Sequence, residues 1–162
     1  MCFLETEKMR SGFEKEAVMH SIYRLYGEKA REEGLHAVAD ELEHAALNEL
    51  AHARWFMDKL GELGSTEDNL TRAASLKRDA ASNYVEWYDS DGEPTLRALA
   101  DVEKDQQRNW DETLREMREG ARYCRPSAIA WECVRCGFGM MGREAPMRCP
   151  LCGAGQGSYK RK

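Results

Sequence analysis

Proline is scarce in this chain, four in 162 residues, and three of the four lie beyond Arg125. With 33% charged and 42% hydrophobic residues, that scarcity suits a soluble and mostly helical protein. A run of about 18 apolar residues is also missing, which excludes a membrane-spanning helix and a membrane partner. The N-terminus, Met1-Cys2-Phe3-Leu4-Glu5, turns charged too soon for a secretory signal. There is no concentrated basic face of the kind that nucleic acid requires: the net charge is −5. Residues 124–162 hold seven Lys/Arg against two Glu, or +5, so −10 falls on the preceding stretch. An acidic body with a mildly basic appendage favours docking of one on the other.

Six cysteines are present, but four of them form two close pairs. That clustering reads as metal binding in a reducing compartment rather than as a disulfide framework, and so predicts the cytoplasm. Cys133-x-x-Cys136-Gly137 and Cys149-x-x-Cys152-Gly153 are separated by twelve residues and supply four thiolates for one ion. Their glycine-bearing turns let backbone N–H groups approach the sulfurs. A tail this small has little core, so the ion itself holds it folded. The sulfur ligands suit iron and zinc alike. Cys2 and Cys124 are thiols without a motif.

Upstream, apolar positions recur with helical period in four segments. The first runs from Thr6 to Glu33 before Gly34, the second from Leu35 to Leu60. The third opens at Ser65 or Thr66 and breaks at Asp89–Pro94; the fourth starts at Pro94 and ends near Gly120. In the second segment Glu49 and His52 stand on the apolar stripe of Leu42, Ala45, Ala46, Ala53 and Phe56. A carboxylate on such a face needs compensation, and a metal ion supplies it for Glu-x-x-His.

The four segments form two related halves. Glu16 precedes Tyr23 by seven residues as Lys77 precedes Tyr84, and Glu49-x-x-His52 is echoed by Glu103-x-x-Gln106. Facing halves of this kind make a four-helix bundle with a polar centre. The fold predicted is mainly α: a four-helix bundle over residues 1–120, a linker over 121–130 and a small metal-knuckle domain over 131–162.

Around the knuckles, Trp131, Phe138, Ala145-Pro146 and Tyr159 are similar to a rubredoxin. Together with Phe13-x-x-Glu16, Tyr23, Glu32-Glu33-Gly34, Asn48-Glu49-x-x-His52, Asn69-Leu70 and Glu103-Lys104, they make nearly the whole chain resemble rubrerythrin. The resemblance implies a ferritin-like diiron domain followed by a rubredoxin-like electron-transfer domain. It implies that Glu16, Glu49, His52 and Glu103 ligate iron in the bundle, with Tyr23 and Tyr84 flanking the reacting metal. It also implies that Cys133, Cys136, Cys149 and Cys152 hold a single iron. Family members typically reduce hydrogen peroxide, often as dimers, so a homodimer, an electron-donor redox protein and a peroxide substrate are expected.

The second half-site departs from that pattern. Lys77 stands where a Glu is expected, Ala80 where a further Glu usually sits, and Gln106 where the second His belongs. Three carboxylates and one lysine sum to −2, which one divalent ion neutralises and two would overshoot. One metal, two, or a Lys77-bridged metal-free core are all open from the residues. So is a non-enzymatic electron carrier, or an interaction protein, built on the same scaffold. His20, one turn beyond Glu16, reads as a hydrogen-bonded core histidine or a replacement ligand, and His36 and His44 as solvated or packing residues.

Overall fold

A computed structural model describes residues 3–162, with side chains from Glu5 onward; Cys2 lies outside the described residues. The order is four long helices, α1 (Phe3–Glu32), α2 (His36–Leu60), α3 (Thr66–Asp91) and α4 (Pro94–Arg118), then three strands, β1 (Cys124–Cys133), β2 (Gly139–Glu144) and β3 (Tyr159–Arg161). These are the mainly helical elements of a ferritin-like fold followed by a rubredoxin-like sheet. The chain divides into two compact units, residues 1–65 and 66–162.

The first unit is the hairpin of α1 and α2. Gly34, at φ 78°, ends α1, and the Leu35 N–H returns to the Ala30 carbonyl at 2.8 Å. Gly61, at φ 66°, ends α2 in the same way, with Glu62 N–H on the Met57 carbonyl at 3.0 Å. The helices meet along small residues: Ala39, Ala46 and Ala53 repeat every seven positions on α2 and are buried, as is Ala30 on α1. Short side chains let the two backbones approach closely. At Gly12 the Phe56 ring fills the space, 2.4 Å from where a Cβ would stand, so an alanine there must displace the ring. His20 donates Nδ1–H to the Ala46 carbonyl at 2.8 Å. It is a hydrogen-bonded histidine between the two helices, as expected.

The second unit begins with the hairpin of α3 and α4, packed through Ala74, Ala81, Ala100 and Leu114. Pro94 takes the first turn of α4, and the Glu93 carboxylate caps it by accepting from the Thr95 N–H at 3.1 Å. On α4 the helical period of Leu96, Leu99, Ala100, Leu114 and Met117 predicts one inward stripe, yet Leu99 and Met117 are more than a third exposed, and Glu116 is buried. What covers Glu116 comes from beyond α4. Beyond Gly120 the chain turns back, and the Glu116 carboxylate receives Arg122 Nη1 at 3.0 Å, Arg161 Nη2 at 2.9 Å and Arg125 Nη2.

The sheet is antiparallel in the order β2-β1-β3, with Trp131 opposite Met140 and Cys133 opposite Tyr159. Much of the stretch read as a linker is strand, since β1 already starts at Cys124. Pro126 is accommodated because the pairing with β2 is irregular between Cys124 and Ile129, where a missing N–H costs no ladder bond. Trp131, Cys133, Ala145, Cys149, Ala154 and Tyr159 make the small core.

Candidate metal centres

Each knuckle is a tight turn closed by a glycine. Gly137 N–H bonds the Cys133 carbonyl and Gly153 N–H the Cys149 carbonyl, both at 2.8 Å, with φ of 76° and 71° at the glycines. A Cβ is strained at such angles, which explains the glycine after each second cysteine. The turns bring Cys133 Sγ to 3.8 Å from Cys152 Sγ and Cys136 Sγ to 3.6 Å from Cys149 Sγ. A tetrahedral ion with metal–sulfur bonds of about 2.3 Å requires sulfur–sulfur edges of about 3.8 Å. All four sulfurs lie within 4.8 Å of one another, so the cage fits one ion.

The cage is built asymmetrically. Cys133 and Cys149 are buried under Trp131 and Tyr159, whereas Cys136 and Cys152 reach the surface. Trp131 is locked by its Nε1–H on the Gly142 carbonyl at 3.0 Å. Burial works to raise the Cys149 pKa, but the Tyr159 hydroxyl and the N–H groups of Cys152 and Leu151 outweigh it and bring the thiol to about 6. The Tyr159 hydroxyl is itself buried, without any well-formed hydrogen bond to nitrogen or oxygen. Its pKa is raised, first by burial and then by Cys149. A buried hydroxyl beside a sulfur has a natural acceptor once that sulfur is a thiolate.

In the first hairpin, α1 and α2 bring Glu16, Glu49 and His52 together. His52 Nδ1 lies 3.2 Å from Glu16 Oε2 and 3.2 Å from Glu49 Oε2. The hydrogen bond to Glu16, then that to Glu49, raises the His52 pKa above its ordinary 6.5. Glu16 is lowered, first by its hydrogen bond with Glu49, against burial and with help from His52. Without an ion, the shared imidazolium proton offsets the two carboxylates. With one, the same donor atoms, all within 4.8 Å, can turn on a hard cation. A recess of about 420 Å³ lined by Glu16, Ala51, His52, Trp55 and Phe56 opens on this cluster.

The second hairpin presents a different arrangement. Lys77 Nζ lies 2.8 Å from Glu103 Oε2 and 5.8 Å from the centre of the Trp110 ring. The ammonium thus pairs with Glu103, and a recess lined by Lys77, Ala80, Tyr84, Glu103 and Trp110 surrounds the pair. Tyr84 packs edge-on against Trp87 with centroids 5.5 Å apart. Tyr23 is half-buried, two helical turns along α1 from Glu16.

Two features were not legible in the sequence. The Glu116 hub draws its cations from positions six, nine and forty-five residues away, a separation that no local spacing reveals. The approach of the Tyr159 hydroxyl to Cys149 depends on the pairing of β1 with β3.

With this geometry in hand, comparison with known proteins is informative. The model of the rubrerythrin family matches residues 7–125, and that of the rubrerythrin rubredoxin-like domain matches residues 131–160. Rubrerythrin from Porphyromonas gingivalis is 26% identical, covering 96% of this chain and 89% of its own length. Rubrerythrin-1 from Clostridium acetobutylicum is 25% identical, covering 90% of this chain and 88% of its own. A solved structure of nigerythrin in a mixed-valence state is 17% identical, with a TM-score of 0.35 over 97% of this chain and 86% of that one.

Proposed function

The chain belongs to the rubrerythrin family of non-haem iron redox proteins, and from that premise we propose that it reduces hydrogen peroxide to water. The observation that carries the reading is the pairing, in one chain, of a soft four-sulfur cage with a Glu16/Glu49/His52 cluster of hard donors. The four cysteines would hold an iron that supplies single electrons, and Glu16, Glu49 and His52 would hold iron at which peroxide could be reduced. The overall change is H2O2 + 2 e⁻ + 2 H⁺ → 2 H2O.

The chain's own residues do the rest. Cys133, Cys136, Cys149 and Cys152 fix one ion in an apolar pocket, and the half-exposed Cys136 and Cys152 form the edge through which an electron enters. Glu49 anchors the helical site, because it lies on the same turn as His52 and faces Glu16. His52 holds a proton between two carboxylates, at the mouth of a recess wide enough for peroxide. Tyr23, two helical turns along α1 from Glu16, serves as a hydroxyl donor to the reaction. Glu103 stays bonded to Lys77 in the second hairpin. The working protein is a cytoplasmic homodimer fed by a redox protein; among the described residues no helix is long and apolar enough to cross a membrane.

Glu49→Gln tests the reading. Iron in the helical site falls at least tenfold, peroxide turnover with a supplied reductant is lost, and the tail iron stays at one per chain. Undiminished turnover would refute it. The Lys77–Glu103 pair favours a second reading, an electron carrier with metal-free helices, which predicts tail iron without turnover in the parent protein.

A further inference from the structure

The α1–α2 hairpin carries half of a two-metal site, and we propose that the same hairpin of a second copy supplies the other half across a two-fold axis. This rests on the reading of Glu16, Glu49 and His52 as metal ligands. Two-metal carboxylate sites in four-helix bundles take one Glu from each of two helices and a Glu-x-x-His pair from each of the other two. One α1–α2 hairpin provides one of each: Glu16, and Glu49-x-x-His52. Two copies provide the full set, four carboxylates and two imidazoles. Their charge of −4 is what two divalent ions neutralise.

The α3–α4 hairpin cannot supply that second half. At the position mirroring Glu16 it offers the Lys77 ammonium, and its one carboxylate there, Glu103, is already bonded to it at 2.8 Å. At the position mirroring His52 it offers the Gln106 amide, a poor ligand for iron. One hairpin of each kind sums to −2, two units short of the balance that two ions need.

The face around the cluster is of the right kind for a copy of itself. Val38, Leu42, Ala45 and Phe56 fall eleven, seven, four and seven residues from Glu49 and so share its side of α2. Val38 is 45% exposed, and Leu42, Ala45 and Phe56 are half-buried. An isologous contact sets each such stripe against its own image, which closes the assembly as a dimer. Two empty faces would bring like charge together, so the ions are what join them.

The test uses the full chain with its tail iron in place and its helical site emptied, titrated anaerobically with ferrous iron. Native mass spectrometry and sedimentation read iron and subunits together. The expected product is a dimer with four irons, one tail and one helical ion per chain. Glu103→Gln leaves that stoichiometry unchanged. Ala45→Arg, which spares every ligand, loses the dimer and the helical iron together, while the helix content and the colour of the tail show that the variant is folded. Helical iron in a monomer, two helical ions per chain, or loss of helical iron in Glu103→Gln would each overturn the proposal while leaving the iron reading intact. No helical iron in any species would instead overturn the iron reading itself.

Discussion

Lys77 Nζ sits 2.8 Å from Glu103 Oε2, with both side chains mostly covered, at 26% and 14% exposure. An ammonium so placed does for Glu103 what a second metal ion would otherwise do. A divalent ion beside it would be repelled, and Glu103 would have to exchange one cation for another.

The double variant Lys77→Glu/Gln106→His removes that cation and builds a Glu/Glu-x-x-His set on the second hairpin. It binds more iron in its helices than the parent and gains peroxide-reducing activity; iron per chain, corrected for the tail ion, gives the answer. Iron content equal to the parent's would mean that the charge of Lys77 does not control occupancy.

Glu116 is the second place where charge decides. Three arginines converge on one buried carboxylate, and Arg122 and Arg161 are partly exposed, which screens their share. Glu116→Gln destabilises the protein by about 2 kcal/mol at neutral pH, less than the 3–5 kcal/mol of a fully buried pair. Burial alone would raise the Glu116 pKa, yet Arg125, Arg122 and Arg161 hold it below the ordinary 4.5. The stabilisation is therefore complete above pH 4.5 and is lost as pH falls through the lower, folded value. Thermal unfolding of parent and variant shows a Tm gap that is widest near neutrality and closes in acid. A gap independent of pH would contradict this.

Much of this was legible in the sequence, for physical reasons that can be stated. The helices could be placed because glycine, proline and capping residues punctuate an unbroken 3.6-residue period at Gly34, Gly61 and Pro94. The cage could be placed because four thiolates at knuckle spacing have one tetrahedral solution. Glu49 and His52 stood out because polar residues on an apolar stripe need compensation, whereas Glu16 came in through the repeat of the two halves and the resemblance. Burial was harder to read. A stripe tells which residues share a face, not how far that face is covered, so Leu99 and Met117 were expected inside and are exposed. The early start of β1 was hidden because Pro126 argues locally against a strand.

Tyr159→Phe tests the contact between hydroxyl and sulfur. Iron content stays at one per cage, because no ligand changes. A hydrogen bond to a coordinating sulfur favours the reduced, more negative centre, so its loss lowers the midpoint potential. A differential bond strength of about 0.5–1 kcal/mol corresponds to about 20–40 mV for one electron. An unchanged potential in spectroelectrochemical titration would show that the hydroxyl does not act on Cys149.

The most direct measurement mixes the anaerobically reduced, iron-loaded protein with hydrogen peroxide and follows the ferric colour of the four-cysteine centre. If electrons pass from that centre to a peroxide-reducing site at Glu16, Glu49 and His52, the colour returns promptly in the parent protein. It returns at least tenfold more slowly in Glu49→Gln, whose cage is intact. Equal rates in the two proteins would show that peroxide meets the cage directly, and that the helical cluster has no part in its reduction.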